Sequence, residues 1–176
     1  LTIFDVEELG THGGSLRIYA RHAEESDRPV LASVEELRRR ETEAGYRQIE
    51  TYLGFAERVA ETKRKLLEFL IAARRQDKRI AGYGAPGKGN TLLNYCGIRT
   101  DFLDYTVDRN PYKQGQFLPG THIPIFPPER LAQTRPDYIL ILPWNLKDEI
   151  IAQLAYARDW GARFVVPIPE VKEVYP

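Results

Sequence analysis

The sequence predicts an α/β fold in which a mostly parallel sheet carries helices on both faces. Between residues 78 and 168, short runs rich in valine, isoleucine and leucine alternate with helical patterns. Such apolar runs are typical of parallel strands that are buried on both sides. In addition, a glycine-rich loop, "GYGAPGKGN" (82–90), joins the first of these strands to the first helix. Together these observations predict a Rossmann-like unit, preceded by an N-terminal β segment and a long helical segment.

The N-terminal β segment (1–32) carries a His-Gly-Gly motif. The stretch "FDVEELGTHGGSLRIYARH" (4–22) predicts two extended segments around a Gly-Gly turn. Apolar residues alternate with polar or larger ones along the second segment, which predicts a strand with one buried face: Leu16, Ile18 and Ala20 against Arg17, Tyr19 and Arg21.

The helical segment (33–76) has apolar residues at three- and four-residue intervals. The stretch from Ser33 to Glu36 has the spacing of a capping box, which predicts that Ser33 caps the first helix. One unbroken helix here would be roughly 60 Å long, too long for a domain of this size. A break near Gly45 or Gly54 is therefore expected, and the alternative is a helix that projects towards another domain.

The Rossmann-like unit (77–176) is predicted as alternating strands and helices, and the three parts are expected to form one structural domain. The predicted strands are "RIAGYG" (79–84), "DYTV" (104–107), "IPIF" (123–126), "DYILILP" (137–143) and "ARFVVPIP" (162–169). The predicted helices are "GNTLLNYCGI" (89–98), "PPERLAQT" (127–134) and "NLKDEIIAQLAYARDWG" (145–161).

Composition excludes several classes of function. Lys plus Arg equals Asp plus Glu at 25 each, so no net charge favours nucleic acid or an anionic membrane. The single cysteine, Cys96, excludes an internal disulfide and a multi-cysteine zinc site, and no metal site is expected. With no signal-peptide pattern, a cytoplasmic location is expected. The chain begins at Leu1 and lacks methionine, which suggests a piece of a longer protein.

The glycine loop is the strongest candidate binding site. Gly82, Gly84 and Gly87 have the G-x-G-x-x-G spacing, in which the glycines allow a tight turn, close phosphate approach and close helix–strand packing. Lys88 adds a positive charge beside the amides of the helix N-terminus. The alternative is a glycine-rich turn without a ligand. The candidate phosphate-binding residues are Gly84, Ala85, Gly87, Lys88, Gly89 and Asn90.

Two further stretches contribute candidate ligands. Asp108, after the next strand, is placed to hold ribose hydroxyls, and Arg109 and Lys113 to contact phosphate. Asn110 and Tyr112 suit a base or sugar edge, and Asn145 lies beside Trp144 at the carboxyl end of a strand. The alternative is that Asn-Pro and Pro-Gly only form turns, and that Asn145 only caps a helix.

His12 is the candidate general base. It precedes two glycines and a serine, and an imidazole titrates near neutrality, which suits proton abstraction. From the residues alone, a surface or structural role is the alternative.

Together these stretches resemble the C-terminal domain of S-adenosylmethionine-dependent NDP-sugar C-methyltransferases. The resemblance covers nearly the whole chain and rests on "THGGSLRIY" (11–19), "GYGAPGKGNTLLNYCGI" (82–98), "VDRNPYKQGQFLPGTHIPI" (107–125), "LPWNLKDEI" (142–150) and "VVPIPE" (165–170). It implies a Rossmann-like domain that binds the nucleotide of an NDP-sugar, commonly dTDP-linked. S-adenosylmethionine would be bound by an upstream domain, and this chain alone would bind no cofactor and be inactive.

The resemblance also implies a reaction. The substrate would be a 4-keto-deoxysugar whose ketone acidifies the C3 proton. His12 matches the family's candidate base, so it would remove that proton before the carbon is methylated. This chain has Gly87 where the family commonly has alanine. It has Leu9 and Thr11 where some relatives carry a tyrosine and an acid before the histidine.

Two other functions fit part of the pattern. A nicotinamide-dependent oxidoreductase is supported by the glycine spacing and Asp108, but the chain has no Tyr-x-x-x-Lys pair. A non-catalytic nucleotide- or CoA-binding module would need no base at His12.

Overall fold

The computed structural model describes residues 1–175, and these divide into two compact units, the first comprising residues 1–57 and the second beginning at Arg58. The division falls inside the predicted helical segment (33–76). Among the described residues, no helix is both long and apolar enough to cross a membrane.

The first unit begins with a two-stranded antiparallel ribbon. Strand β1 (Thr2–Leu9) pairs with β2 (Ser15–Arg21), and a 3-10 turn (Thr11–Gly13) joins them. The two predicted extended segments are confirmed, but the predicted buried face is wrong: Leu16 is 46% exposed and Ile18 is 56% exposed. A two-stranded ribbon needs further strands or a helix against a face to bury its side chains, and among the described residues no layer covers Leu16 and Ile18.

Three helices follow the ribbon: α1 (Ala32–Glu43), α2 (Ile49–Leu53) and α3 (Phe55–Arg75). The chain breaks at both predicted glycines, and Gly45 takes a positive φ of 73°. The predicted capping box is wrong, because α1 begins before Ser33 and has Leu31 as its N-cap. The Ser33 hydroxyl instead donates to Asp5 Oδ1 at 2.6 Å, which ties α1 to β1.

The second unit is built on a six-stranded sheet. Its strands are β3 (Ile80–Tyr83), β4 (Tyr105–Val107), β5 (Ile125–Phe126), β6 (Tyr138–Ile141), β7 (Arg163–Val166) and β8 (Lys172–Val174). Their order in the sheet is β5-β4-β3-β6-β7-β8, which is the 3-2-1-4-5-6 order of a Rossmann fold. The first five strands in this order pair in parallel, and β8 runs antiparallel to β7.

The helices of this unit follow the strands in the predicted alternation: α4 (Gly87–Cys96), α5 (Arg130–Thr134) and α6 (Lys147–Gln153). The predicted helix 145–161 consists of three pieces, since 3-10 segments at Trp144–Leu146 and Ala155–Trp160 flank α6. Leu154 interrupts the α geometry with φ −98° and ψ 18°.

Two apolar clusters cover the two faces of the sheet. On one face, Leu66 and Leu70 of α3 and Leu93 of α4 pack with Ile80 and Leu140. On the other face, the core contains side chains from the strands and from α5 and α6: Tyr83, Ile139, Ile141, Leu131 and Ile150. Consecutive residues of β6 thus point into different cores, which confirms a sheet covered on both faces.

Close helix–strand packing depends on a different glycine from the one the spacing indicates. A Cβ at Gly89 would lie 2.7 Å from Leu142 Cβ, whereas a Cβ at Gly87 would meet nothing within 4 Å. The assignment of Gly87 to this packing role is therefore wrong. Gly89, two residues further along the chain, is the residue that lets α4 approach the end of β6.

We expect Gly89→Ala to lower the free energy of unfolding by about 1–3 kcal/mol, because Leu142 Cβ cannot move without its backbone. Gly87→Ala is the matched control, with a change within about 1 kcal/mol and on the stabilising side. Urea denaturation of both variants measures the difference. Equal stabilities would contradict the packing role of Gly89.

Candidate functional site

The candidate site lies at the carboxyl ends of β3, β4 and β6. Strand β3 has β4 on one side and β6 on the other, both parallel to it. The chain continues from β3 to β4 on one side and from β6 to β7 on the other side, so the order of strands reverses between β3 and β6. Open α/β sheets bind ligands in the crevice at such a point. The loops at this edge, 84–86, 108–114 and 143–146, contain most of the predicted site residues.

Gly84 fixes the start of the glycine loop. It has φ 86°, and its N–H donates to the Val107 carbonyl at 2.6 Å. Its own carbonyl accepts the Thr106 hydroxyl at 2.8 Å. A Cβ at this position would lie 2.6 Å from Pro143 Cγ. Only glycine fits both the conformation and the space, so the loop is held between β4 and the end of β6.

The N-terminus of α4 is open. Its N-cap is Pro86, and no side chain caps it. The amides of Gly87, Lys88 and Gly89 have no partner within the helix, because the first N–H groups of any α-helix lack one. Such amides, with the partial positive charge of the helix end, favour an anion.

Asp108 connects the glycine loop to the loop after β4. Its Oδ2 accepts the Ala85 N–H at 2.7 Å and Lys113 Nζ at 3.3 Å, and its Oδ1 accepts the Asn110 N–H at 2.8 Å. Lys113 also donates to the Ala85 carbonyl at 3.0 Å. The Asp108 side chain is 14% exposed. Both residues thus order the loops, while ribose binding by Asp108 and phosphate binding by Lys113 stay predictions.

The rest of this loop is more open. Asn110 Oδ1 accepts the Tyr112 N–H at 3.0 Å, which shapes a local turn. Tyr112 is 90% exposed. Arg109 is also exposed, and its Nη1 lies 3.4 Å from Gln153 Oε1 on α6. A base or sugar contact by Asn110 or Tyr112 stays a prediction.

Lys88 and Asn145, which lie far apart in the sequence, meet at this edge. Lys88 Nζ donates to Asn145 Oδ1 and lies 4.8 Å from the centroid of the Trp144 ring. Asn145 caps neither helical segment, since their N-caps are Pro143 and Leu146. The capping alternative for Asn145 is therefore wrong, and its side chain instead positions the Lys88 ammonium.

Asn90, in the first turns of α4, has a buried Oδ1 to which no described residue donates. Its backbone carbonyl accepts the Asn94 side-chain amide at 2.9 Å. Substrate binding by Asn90 stays a prediction.

Two cavities adjoin the glycine loop. The smaller, about 160 Å³, is lined by Gly84, Asp108 and Pro143 among others. The larger, about 650 Å³, extends to the loop after β5 and to Tyr156. Both are lined by Tyr83, Arg109 and Gln153. The sequence prediction missed Tyr83 and Gln153. The position of Tyr83 at the end of a strand was a signal for it, whereas nothing in the sequence marked Gln153.

His12 belongs to the first unit, whereas the other predicted residues belong to the second. It lies in the 3-10 turn between β1 and β2, exposed, with φ 57° and ψ 16°. Non-glycine residues rarely adopt this left-handed conformation. The turn is held by the Thr11 carbonyl, which accepts the Gly14 N–H at 2.9 Å and the Ser15 hydroxyl at 3.0 Å. Leu9 and Ser15 line an adjacent cavity of about 420 Å³.

Within residues 1–175, no group of three or more His, Cys, Asp or Glu side chains is arranged to hold a metal ion. The lone thiol, Cys96, is buried, and burial raises its pKa.

The sheet order defines a Rossmann-type α/β domain, and a glycine loop leads into the open N-terminus of its helix α4. The chain belongs to the family of C-methyltransferase C-terminal domains, which its sequence matches over residues 10–169. It is 38% identical over 177 residues to C-methyltransferase NovU of Streptomyces niveus. That match covers 99% of this chain, and the chain spans 41% of the length of NovU.

Among solved structures, the chain is similar to the crystal structure of UDP-D-quinovosamine 4-dehydrogenase from Vibrio fischeri. The match covers 55% of this chain and 93% of that chain, with 21% sequence identity and a TM-score of 0.41.

Replacing Asp108 with asparagine tests its role in ordering the loops. Asparagine keeps the size but has a single acceptor oxygen, so either the Ala85 or the Asn110 amide loses its partner. We expect Asp108→Asn to lower the free energy of unfolding by about 2 kcal/mol. Urea denaturation measures it, with the exposed Asp101→Asn as control. If the two variants were equally stable, the Asp108 contacts would not hold the loops.

Proposed function

We propose that this chain is the acceptor-binding domain of an S-adenosylmethionine-dependent C-methyltransferase that acts on a nucleotide-linked 4-keto-deoxysugar of the dTDP type. One observation carries the proposal: an uncapped helix N-terminus with Lys88 beside it, at the carboxyl edge of a Rossmann sheet, in a member of the C-methyltransferase family. The similarity to a C-methyltransferase agrees with methyl transfer to a carbon atom.

The diphosphate would be held at the start of α4. The amides of Gly87, Lys88 and Gly89 would donate to phosphate oxygens, and the Lys88 ammonium would pair with their charge. The contacts from Asn145 and Trp144 hold that ammonium at the edge of the sheet before a ligand arrives. Gly84 and Ala85 complete the loop, and Arg109 and Lys113 add positive charge beside it.

The nucleoside would lie across the ends of β3 and β4. Asp108 would contact ribose through acceptor capacity left beside its loop contacts, and Asn110, Tyr112 and Asn145 would border the ligand. Asn90 would contribute its unpartnered oxygen.

His12 would act as the general base. A ketone at C4 of the sugar acidifies the proton on C3, and a neutral imidazole can accept that proton. Two features support this role for His12. The exposed turn presents the ring to solvent in a conformation that a histidine rarely adopts, and such conformations cluster at functional sites.

The glycine loop suits a diphosphate better than the methyl donor. S-adenosylmethionine carries one carboxylate beside two positive charges, its sulfonium and its α-ammonium, whereas the loop offers N–H donors and an ammonium, which favour a multiply charged anion. We therefore propose that an upstream domain of a longer chain holds the donor, and that this chain alone transfers no methyl group.

Titration of the chain with dTDP, NAD and CoA by calorimetry tests the binding role. We expect dTDP to bind and Lys88→Ala to weaken it about tenfold or more, because a charged hydrogen-bond donor is lost. Lys172→Ala, which removes an exposed lysine on β8, is the control and should leave the affinity unchanged. Tight NAD binding with no response to dTDP would favour the oxidoreductase, and CoA binding alone would favour the CoA module.

In the full-length methyltransferase, we expect His12→Asn to abolish methyl transfer and leave dTDP affinity unchanged, because asparagine cannot accept the proton. The measurements are product formation by mass spectrometry and solvent deuterium exchange at C3. Normal turnover of the variant would exclude His12 as the base.

A further inference from the structure

The larger cavity is lined by polar side chains that include Tyr83 and Gln153, which have no part in the proposed diphosphate site, and Arg109, which borders that site. Tyr83 comes from the end of β3, Arg109 from the loop after β4, and Gln153 from α6. Pro127 and Pro128, after β5, form another wall. The volume, about 650 Å³, is in the usual range for sites of small ligands. The smaller cavity, which touches Gly84 and Asp108, shares the same three side chains.

The orientation of the Gln153 amide is fixed by its neighbour. Gln153 Nε2 donates to Glu149 Oε1 at 2.7 Å. An ionised carboxylate can only accept hydrogen bonds, so the amide nitrogen must face Glu149. The amide oxygen, Oε1, is thereby turned toward Tyr83 and Arg109.

This oxygen keeps capacity for another donor. The Tyr83 hydroxyl and Arg109 Nη1 each lie 3.4 Å from it, a long distance for a hydrogen bond. Burial raises the pKa of Tyr83, so its hydroxyl stays protonated and able to donate. Arg109 has further N–H groups. The cavity therefore offers one acceptor oxygen with two donor side chains beside it.

A ligand edge that complements this pattern has an N–H between two acceptors. Uracil and thymine carry such an imide edge, with N3–H between two carbonyl oxygens. Cytosine presents an acceptor at N3 that would face Gln153 Oε1, and guanine and adenine each mismatch at one or more positions. The pattern distinguishes these bases because a polar group that the bound base covers loses its partner when it faces a like group.

We propose that Tyr83, Arg109 and Gln153 recognise the imide edge of a uracil or thymine nucleotide, and that Glu149 is the positioning residue for the Gln153 amide. This inference rests on the proposed function, since the base belongs to the nucleotide whose diphosphate α4 would hold. It adds the residues that select the base.

The test compares the affinities of dTDP, CDP and inorganic pyrophosphate by calorimetry. We expect the wild-type chain to bind dTDP at least about tenfold more tightly than CDP. Glu149→Gln lets the Gln153 amide rotate, because a glutamine at 149 can both donate and accept. The ratio of dTDP to CDP affinity should then fall about tenfold, and Gln153→Met should remove it.

Lys88→Ala is the control that separates binding of the diphosphate from recognition of the base. It should weaken dTDP, CDP and pyrophosphate by a similar factor and leave the base ratio unchanged. Glu149 and Gln153 are exposed, so their variants should fold, and thermal unfolding verifies this.

The outcomes separate the two proposals. Equal wild-type affinity for dTDP and CDP, or a ratio that survives both substitutions, would overturn base recognition even where pyrophosphate binding and its dependence on Lys88 persist. Absence of binding by all three ligands would overturn the diphosphate site, and base recognition with it.

Discussion

The candidate site depends on the hydrogen bonds of one carboxylate. Asp108 accepts from the backbone of the glycine loop and from the backbone of its own loop, and Lys113 closes the arrangement by donating to both Asp108 and Ala85. Hydrogen bonds to a charged acceptor are among the stronger ones in proteins. The glycine loop that leads into α4 is therefore held by Asp108, a residue 23 positions after Ala85.

A second consequence concerns the positive charge at the site. Lys88 is a flexible side chain, and ordering it costs side-chain entropy. The amide oxygen of Asn145 and the ring of Trp144 already hold its ammonium at the edge of the sheet. A site ordered before the ligand arrives loses less free energy on binding. Asp108, after β4, thus orders the glycine loop, and Asn145 and Trp144, after β6, position the Lys88 ammonium.

Several sequence predictions failed where a local pattern met a tertiary constraint. Ser33 has capping spacing, but Asp5 of the neighbouring strand binds its hydroxyl. Gly87 completes the motif, but Leu142 approaches Gly89 instead. Strand β8 was not predicted, because its charged residues give little strand pattern and its pairing with β7 comes from tertiary structure.

The alternation of strands and helices and the position of the glycine loop could be predicted from the amino-acid sequence. Both follow from hydrophobic periodicity and from the conformational freedom of glycine, which are properties of short segments. Which polar groups meet depends instead on the folded chain: Asp108 with Ala85, Lys88 with Asn145, and Gln153 with Tyr83 and Arg109. These pairs join residues 23 to 70 positions apart, and their contacts arise when the ends of parallel strands come together at one edge of the sheet.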